Sequence, residues 1–202
     1  AVAHNDPEFK GMTYGDVCEH SARARNLIDN LKKGRKGVQQ GDYLFFLARL
    51  ERYDGNRFTG KEAGFYFIGY FHVDDVKPVY GPIQEPLKLD EEEKIGTNAH
   101  VLRAKANPDL WTNKNYKFWV FKGGDDSRRF CYALKADWEW LSRVFTDAHE
   151  HHWCTKADRS ELQRIMSYTR TIRCQLDQNN PRQEESYKQF WSIIHQHLKR
   201  ED

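Results

Sequence analysis

The chain has 202 residues, of which 14% are aromatic and 31% charged, and its formal net charge is +2. This length suffices to bury one ordinary core, and the abundance of aromatic side chains argues against an intrinsically disordered chain. Because the charge is nearly balanced, it does not by itself indicate nucleic-acid binding, and such a site must come from local clustering of basic residues.

A basic helix is predicted near the start of the chain. Residues 16–33 have the period of an amphipathic helix, with Asp16 as a candidate N-cap. Six basic residues and one acidic residue lie between Arg23 and Lys36. Two interpretations stay open, a solvated helix face or a surface that contacts phosphates. The phosphate-contacting candidates are Arg23, Arg25, Lys32 and Lys33.

A β-rich segment follows the helix. Residues 43–50 and 65–73 are dominated by aromatic and β-branched side chains, which is typical of buried strands. The sequence GGDDS provides the turn of a later hairpin. Residues 77–97 contain three prolines and an acidic run, and they are predicted to form a long surface loop. The further predicted strands are residues 100–104, 117–122 and 129–134.

The last third of the chain has helical periodicity. Helices are predicted from about Asp137, over residues 158–176, and after Asn180, which is the expected N-cap with Pro181 in the first turn. We therefore expect a β domain at residues 1–135 and a helical extension at residues 136–202, which packs on it as one structural unit.

Most motifs of enzyme and metal chemistry are absent from the sequence. It contains no Walker loop, GxGxxG or GxSxG pattern. Its four cysteines form no CxxC pair, and AHEHHWC matches no standard zinc spacing, so we expect no metal and no cofactor. No apolar run has membrane-spanning length, and the cysteine pattern favours a cytoplasmic protein without a membrane partner. His4, Asp6 and His100 are candidate catalytic residues if the fold brings them together, because imidazole transfers protons near neutral pH.

Several stretches resemble known nucleic-acid modules. SARARNLIDNLKKG, VQQGDYLFFLARL and FYFIGYFHV together resemble the core of PUA-like domains, especially the EVE and YTH branches. In these branches a helix precedes a Gly-Asp turn and two apolar strands. With AHNDPEF and NAHVLRA added, the chain is similar to the third type of nucleotide modification associated domain over about residues 4–134.

The resemblance implies a fold and a function. The fold is of the α+β class, a small PUA-like mixed β-barrel with an N-terminal helix and a C-terminal helical extension. The implied function, linked to DNA base modification, is recognition of a modified or flipped base in an aromatic pocket, with DNA favoured over RNA. The base-binding candidates are Asp42, Phe46, Tyr66, Asn98, His100, Trp111 and Trp119.

Two alternatives to base recognition stay open. In the first alternative, the protein is an enzyme that acts on a nucleotide or nucleobase through His4, Asp6 and His100. In the second, it is a protein-interaction module that uses its hairpin edge and C-terminal helices. The sequence decides neither whether there is catalysis nor what the oligomeric state is.

Overall fold

We describe a computed structural model of the chain, covering residues 6–16, 37–80, 95–107, 109, 117–136, 138–144, 153–155, 162–165, 180–181 and 183–200. It is a mixed α+β structure with a curled antiparallel sheet and a C-terminal helix. The strands are β1 (Thr13–Asp16), β2 (Tyr43–Leu50), β3 (Gly64–Tyr80), β4 (Lys117–Gly123), β5 (Arg128–Lys135), β6 (Trp153–Thr155) and β7 (Leu162–Ile165). The helices are α1 (Ala99–Ala106), α2 (Trp138–Val144) and α3 (Glu184–Leu198).

The main sheet has the strand order β1-β4-β3-β2, and β5 pairs with β3. Both β1 and β3 run antiparallel to β4, and Gly15 of β1 lies opposite Val120 of β4. The register between β3 and β4 shifts between Val73 and Asp75, which is a bulge or irregularity of β3. Gly41 takes φ +90°, and the amide of Gly41 donates to the carbonyl of Val73. The predicted Gly-Asp turn is therefore present at the entry to β2.

The chain forms two compact units. The first comprises Ala1–Phe45 with Tyr70–Arg129, and the second comprises Phe46–Gly69 with Phe130–Asp202. In the first unit the buried core includes Phe71, Val73, Val101, Ala104, Phe118, Val120 and Phe121. In the second it includes Phe67, Phe130, Trp140, Leu141, Val144, Phe190 and Ile194. The predicted domain boundary at residue 135 stays a prediction. Within the described residues, no helix has the length and apolar character needed to cross a bilayer.

Several predicted elements are present. Strands occupy the predicted positions in β2, β4 and β5, and α2 begins at Trp138, next to the predicted start. Helix α3 forms as expected, although its N-cap is Gln183 rather than Asn180. The carbonyl of Asn180 accepts from the amides of Gln183 and Glu184, so a turn precedes the helix.

Three predicted elements are wrong in type or extent. Residues 100–104 belong to helix α1 rather than to a strand, because Asn98 caps the segment and the buried residues Val101 and Ala104 are spaced three apart. Strand β3 continues to Tyr80 by pairing with β4, so the predicted loop begins later. Leu162–Ile165 is a strand paired with Trp153–Thr155 and not part of a helix.

Other predictions lie outside the described residues. These include the basic helix apart from Asp16, which ends β1, and residues 81–94 of the predicted loop. They also include His149, His151 and His152 of the histidine-rich stretch.

Candidate functional site

The most distinctive polar arrangement of the first unit is a buried pair formed by Asp6 and His100. The Nε2 atom of His100 lies 3.3 Å from Oδ2 of Asp6, and the two side chains are only 11% and 4% exposed. The two residues are 94 positions apart in sequence. The fold therefore brings a carboxylate and an imidazole together where water has little access.

The carboxylate of Asp6 is held by strand β1. Its other oxygen, Oδ1, accepts a hydrogen bond of 3.0 Å from the backbone amide of Gly15. One oxygen thus contacts the backbone while the other faces His100, and this fixes the plane of the carboxylate. The peptide bond between Asp6 and Pro7 is cis.

His100 is held by the first turn of α1. The side chain of Asn98 is the N-cap, and its Oδ1 accepts from the backbone amide of His100 at 2.9 Å. The side-chain nitrogen of Asn98, Nδ2, lies 3.3 Å from Oγ1 of Thr13 and donates to it. Asn98 is fully buried. Because the cap bonds both α1 and β1, it sets the position of His100 relative to the strand that holds Asp6.

Gly15 leaves room for the imidazole ring. A Cβ atom at this position would lie 2.7 Å from Oδ1 of Asn98 and closer still to Cδ2 of His100. The opposite side of the ring region contacts Phe118, whose ring centroid lies 5.8 Å from that of His100. A strand glycine at a close approach is therefore part of the construction of this site.

A second buried carboxylate supports the segment that carries Asp6. Glu8 accepts hydrogen bonds from the backbone amides of Lys10 at 2.6 Å and Gly11 at 2.7 Å. It also accepts from the hydroxyl of Thr97 at 3.0 Å, just before the Asn98 cap. The charge of Glu8 is thus used to hold the N-terminal segment beside the start of α1.

The geometry of the pair suits proton transfer. When Nε2–H of His100 donates to Asp6, the carboxylate orients the imidazole, as in other carboxylate–histidine pairs. The second ring nitrogen, Nδ1, is the one left to exchange a proton. Because Nδ1 is buried, a substrate reaches it only when the surrounding residues move. Within the described ranges, no three His, Cys, Asp or Glu side chains are grouped so that they could hold a metal ion.

A family comparison places this site in context. The model of the family described as nucleotide modification associated domain 3 matches residues 1–191. The chain belongs to this family. The matched range contains both members of the Asp6–His100 pair and the residues that hold them. No curated protein and no solved structure matches the chain significantly.

Family membership links the chain to nucleotide modification, and it confirms the resemblance to the third type of nucleotide modification associated domain. The PUA-like resemblance stays a prediction. Of the three candidate catalytic residues, the structure brings Asp6 and His100 together, whereas His4 lies outside the described residues. The catalytic role of these residues stays a prediction.

The base-binding candidates of the first unit differ in their exposure and contacts. Asn98 lies directly before His100 at the N-terminus of α1, but its amide already bonds the helix and Thr13. In the first unit Asp42 is exposed, and its Oδ2 accepts from the amide of Gln39 at 2.8 Å, which stabilises the Gly-Asp turn. Trp119 is half-buried on β4. Their role in base recognition stays a prediction.

The remaining candidates differ in burial or fall outside the described chain. In the second unit Phe46 is buried in the core, and the hydroxyl of Tyr66 donates to the carbonyl of Glu62 at 2.6 Å. Trp111 and the four phosphate-contacting candidates, Arg23, Arg25, Lys32 and Lys33, lie outside the described residues.

Sequence reasoning missed three supporting residues, namely Glu8, Thr13 and Gly15. One signal was available for the cap, because an Asn two residues before His100 and three before Val101 is a standard helix start. The glycine in TYGD was a second signal, since an isolated strand glycine marks a close approach. The role of Glu8 depends on bonds to Gly11 and Thr97 that only the fold shows.

Proposed function

We propose that the protein catalyses a proton-transfer step on a nucleobase or nucleotide within a nucleotide-modification system, with Asp6 and His100 as its acid–base pair. The observation that carries this proposal is the 3.3 Å contact between two side chains that are almost completely buried. Membership in the nucleotide modification associated domain 3 family supports the class of substrate.

The construction of the pair favours chemistry over simple packing. Replacing a buried ion pair by apolar side chains often leaves stability unchanged or raises it, so fold stability alone gives little reason to retain one. Here Asp6 is also held by the amide of Gly15, and the Asn98 cap fixes the start of the helix that carries His100. Polar groups that are buried and specifically oriented in this way are typical of functional sites.

Each residue has a distinct role in the proposed reaction. His100 accepts a proton from one atom of the substrate at Nδ1 and donates it to another, and the buried Nδ1 must become accessible when the substrate binds. Asp6 orients the imidazole ring through Nε2, which makes it a positioning residue. The proposal includes a PUA-like core, DNA rather than RNA where the substrate is a polymer, and a cytoplasmic location without a membrane partner.

Recognition of a modified or flipped base is the second candidate function. What supports it is the family's link to nucleotide modification together with the imidazole of His100, a group that can hydrogen-bond a base edge. A reader binds one modified base selectively and releases it unchanged, whereas the enzyme converts its substrate into a chemically different product.

Turnover assays on a nucleotide panel test the proposal. The protein is incubated with deoxynucleotides and with oligonucleotides that carry standard or modified bases. Products are separated by liquid chromatography before mass spectrometry, so that isomers of equal mass are also detected. His100→Ala is expected to lower the rate by roughly 10²- to 10⁴-fold, as loss of a general acid–base group does, while substrate affinity changes little. Gly124→Ala serves as the control, since its new Cβ would meet its nearest neighbour, Cβ of Asp74, at an ordinary 3.4 Å.

The outcomes separate the candidate functions. Equal turnover by wild-type protein and His100→Ala would contradict the catalytic role of the pair. Selective binding of one modified base without any product would support the reader instead. Absence of both turnover and binding to nucleotides, DNA or RNA would favour the protein-interaction module.

A further inference from the structure

The tip of the β2–β3 hairpin, which we define as residues 49–62 and call the hairpin tip, exposes two aromatic rings. Phe58 is 70% exposed and Tyr53 is 56% exposed, and their ring centroids lie 5.3 Å apart with an interplanar angle of 57°. Large apolar side chains on a surface are unremarkable singly, but an adjacent pair at this exposure calls for a partner.

The tip is well ordered by its own hydrogen bonds. Oδ1 of Asp54 accepts from the amides of Asn56 and Arg57, both at 2.9 Å, and the Asp54 amide donates to the carbonyl of Arg57 at 3.2 Å. Farther down, the amide of Thr59 donates to the carbonyl of Arg52 at 3.0 Å. The exposure of the rings is therefore a feature of a formed turn and not of a frayed end.

Basic residues alternate with the two rings. The hairpin tip contains four basic side chains, Arg49, Arg52, Arg57 and Lys61, against three acidic ones. Each acid has a place within the tip. Asp54 closes the turn, Glu51 accepts from the amide of Gly60 at 2.7 Å, and Glu62 lies 3.7 Å from Arg52. Arg57 also lies 4.0 Å from Asp54, an exposed pair of the weak kind that a phosphate can replace.

We propose that the hairpin tip binds single-stranded nucleic acid, with Tyr53 and Phe58 stacking on unpaired bases and Arg57 and Lys61 contacting the flanking phosphates. Aromatic side chains that stack on bases, combined with cations along the backbone, are the general mode of single-strand binding. The inference goes beyond the proposed function, because the tip lies in the second unit, apart in sequence from Asp6 and His100, and binds without any chemical step.

The competing explanation is that the two rings only stabilise the hairpin. A cross-strand aromatic pair contributes to a hairpin, and Tyr53 and Phe58 do form an isolated antiparallel bridge. This explanation requires the rings to contact each other and not the solvent. Their large exposed fractions leave ring surface for a base, and the flanking arginine and lysine residues favour a polyanion over an apolar protein partner.

Fluorescence anisotropy with a labelled oligothymidylate tests the proposal, using the whole 202-residue chain. Phe58→Ala is expected to weaken binding at least about fivefold, the lower range for loss of one stacked base. Lys61→Gln should weaken binding and reduce the slope of log affinity against log salt by about one unit. Tyr132→Ala is the matched control, since Tyr132 is also 70% exposed but lies on β5 outside the tip.

Two further variants keep the outcome decisive if Phe58→Ala unfolds the turn. Tyr53→Phe retains a ring and should bind as the wild type does, whereas Phe58→Leu retains apolar bulk but no stacking face and should bind as weakly as Phe58→Ala. Binding unaffected by Phe58→Leu, binding lost equally in Tyr132→Ala, or no binding of the wild type would overturn the proposal. Binding without turnover would support it and count only against the acid–base function.

Discussion

At the scale of single residues, the site depends on the absence of a side chain at Gly15 as well as on the side chains that form it. The backbone amide of Gly15 donates a hydrogen bond to Asp6, and the lack of a Cβ atom at Gly15 leaves the space that His100 occupies. The same residue therefore holds one member of the pair and makes room for the other. A side chain at this position would clash with His100 and with the Asn98 cap.

Gly15→Ala tests this dependence. The new methyl group would lie 2.7 Å from Oδ1 of Asn98 and in contact with the His100 ring, so the cap or the ring must move. We expect a loss of about 1–3 kcal/mol in the free energy of unfolding, as for other overpacked sites. Gly124→Ala should change stability little in the same denaturant titration, because its Cβ would meet only ordinary contacts. A Gly15→Ala protein as stable as the wild type would contradict the described packing.

Asp54 gives the hairpin tip a predictable acid sensitivity. The amide of Arg57, and then that of Asn56, donates to its carboxylate and holds the pKa of Asp54 below its usual 3.8 in the folded protein. Since the unfolded chain then binds the proton more readily, this contribution is complete above pH 3.8 and is lost as the pH falls through the folded pKa. Asp54→Asn should therefore lose less stability between about pH 5 and about pH 3 than the wild type. Parallel thermal melts at several pH values measure this, and identical acid profiles would contradict it.

At the scale of elements, helix α3 is the main packing element of the second unit. Phe190 lies on its buried face, with its ring centroid 5.9 Å from that of Phe67 on β3 and 6.1 Å from that of Trp140 on α2. The side chain of Phe190 thus packs helix α3 against strand β3 and helix α2. Phe190 and Ile194 are both buried, so this face of the helix is packing surface.

Phe190→Ala is expected to destabilise the protein strongly. Removal of a buried phenylalanine ring costs about 3–5 kcal/mol, because apolar contact is lost and a cavity remains. Gln196→Ala, at an exposed position of the same helix, should change stability by less than about 0.5 kcal/mol. Chemical denaturation of the two variants compares them directly. A small effect of Phe190→Ala would show that α3 is not packed as described.

The elements also show where sequence patterns are ambiguous. The apolar spacing in residues 100–104 fits a short strand as well as a helix, and the Asn98 cap decides in favour of the helix. Residues 162–165 have helical periodicity in the sequence, but they form a strand because they pair with β6. Local periodicity does not encode this pairing. Strand β3 runs past its apolar stretch because β4 supplies partners for residues 75–80.

At the scale of the whole molecule, the sequence predicted the family, the α+β class and two residues of the candidate site. Asp6 and His100 were candidates because of their chemistry, but their proximity depends on β1 and α1 meeting, and β1 was not predicted. Glu8 and Thr13 could not be chosen in advance, since their roles arise from contacts to residues more than 80 positions away.

The central claim is that the buried Asp6–His100 pair transfers a proton on a nucleotide or nucleobase. The most direct test measures product formation and substrate binding in parallel for wild-type protein and His100→Ala. We expect His100→Ala to bind substrate as the wild type does but to form product roughly 10²- to 10⁴-fold more slowly. Product formed at the wild-type rate by a folded His100→Ala protein would contradict it.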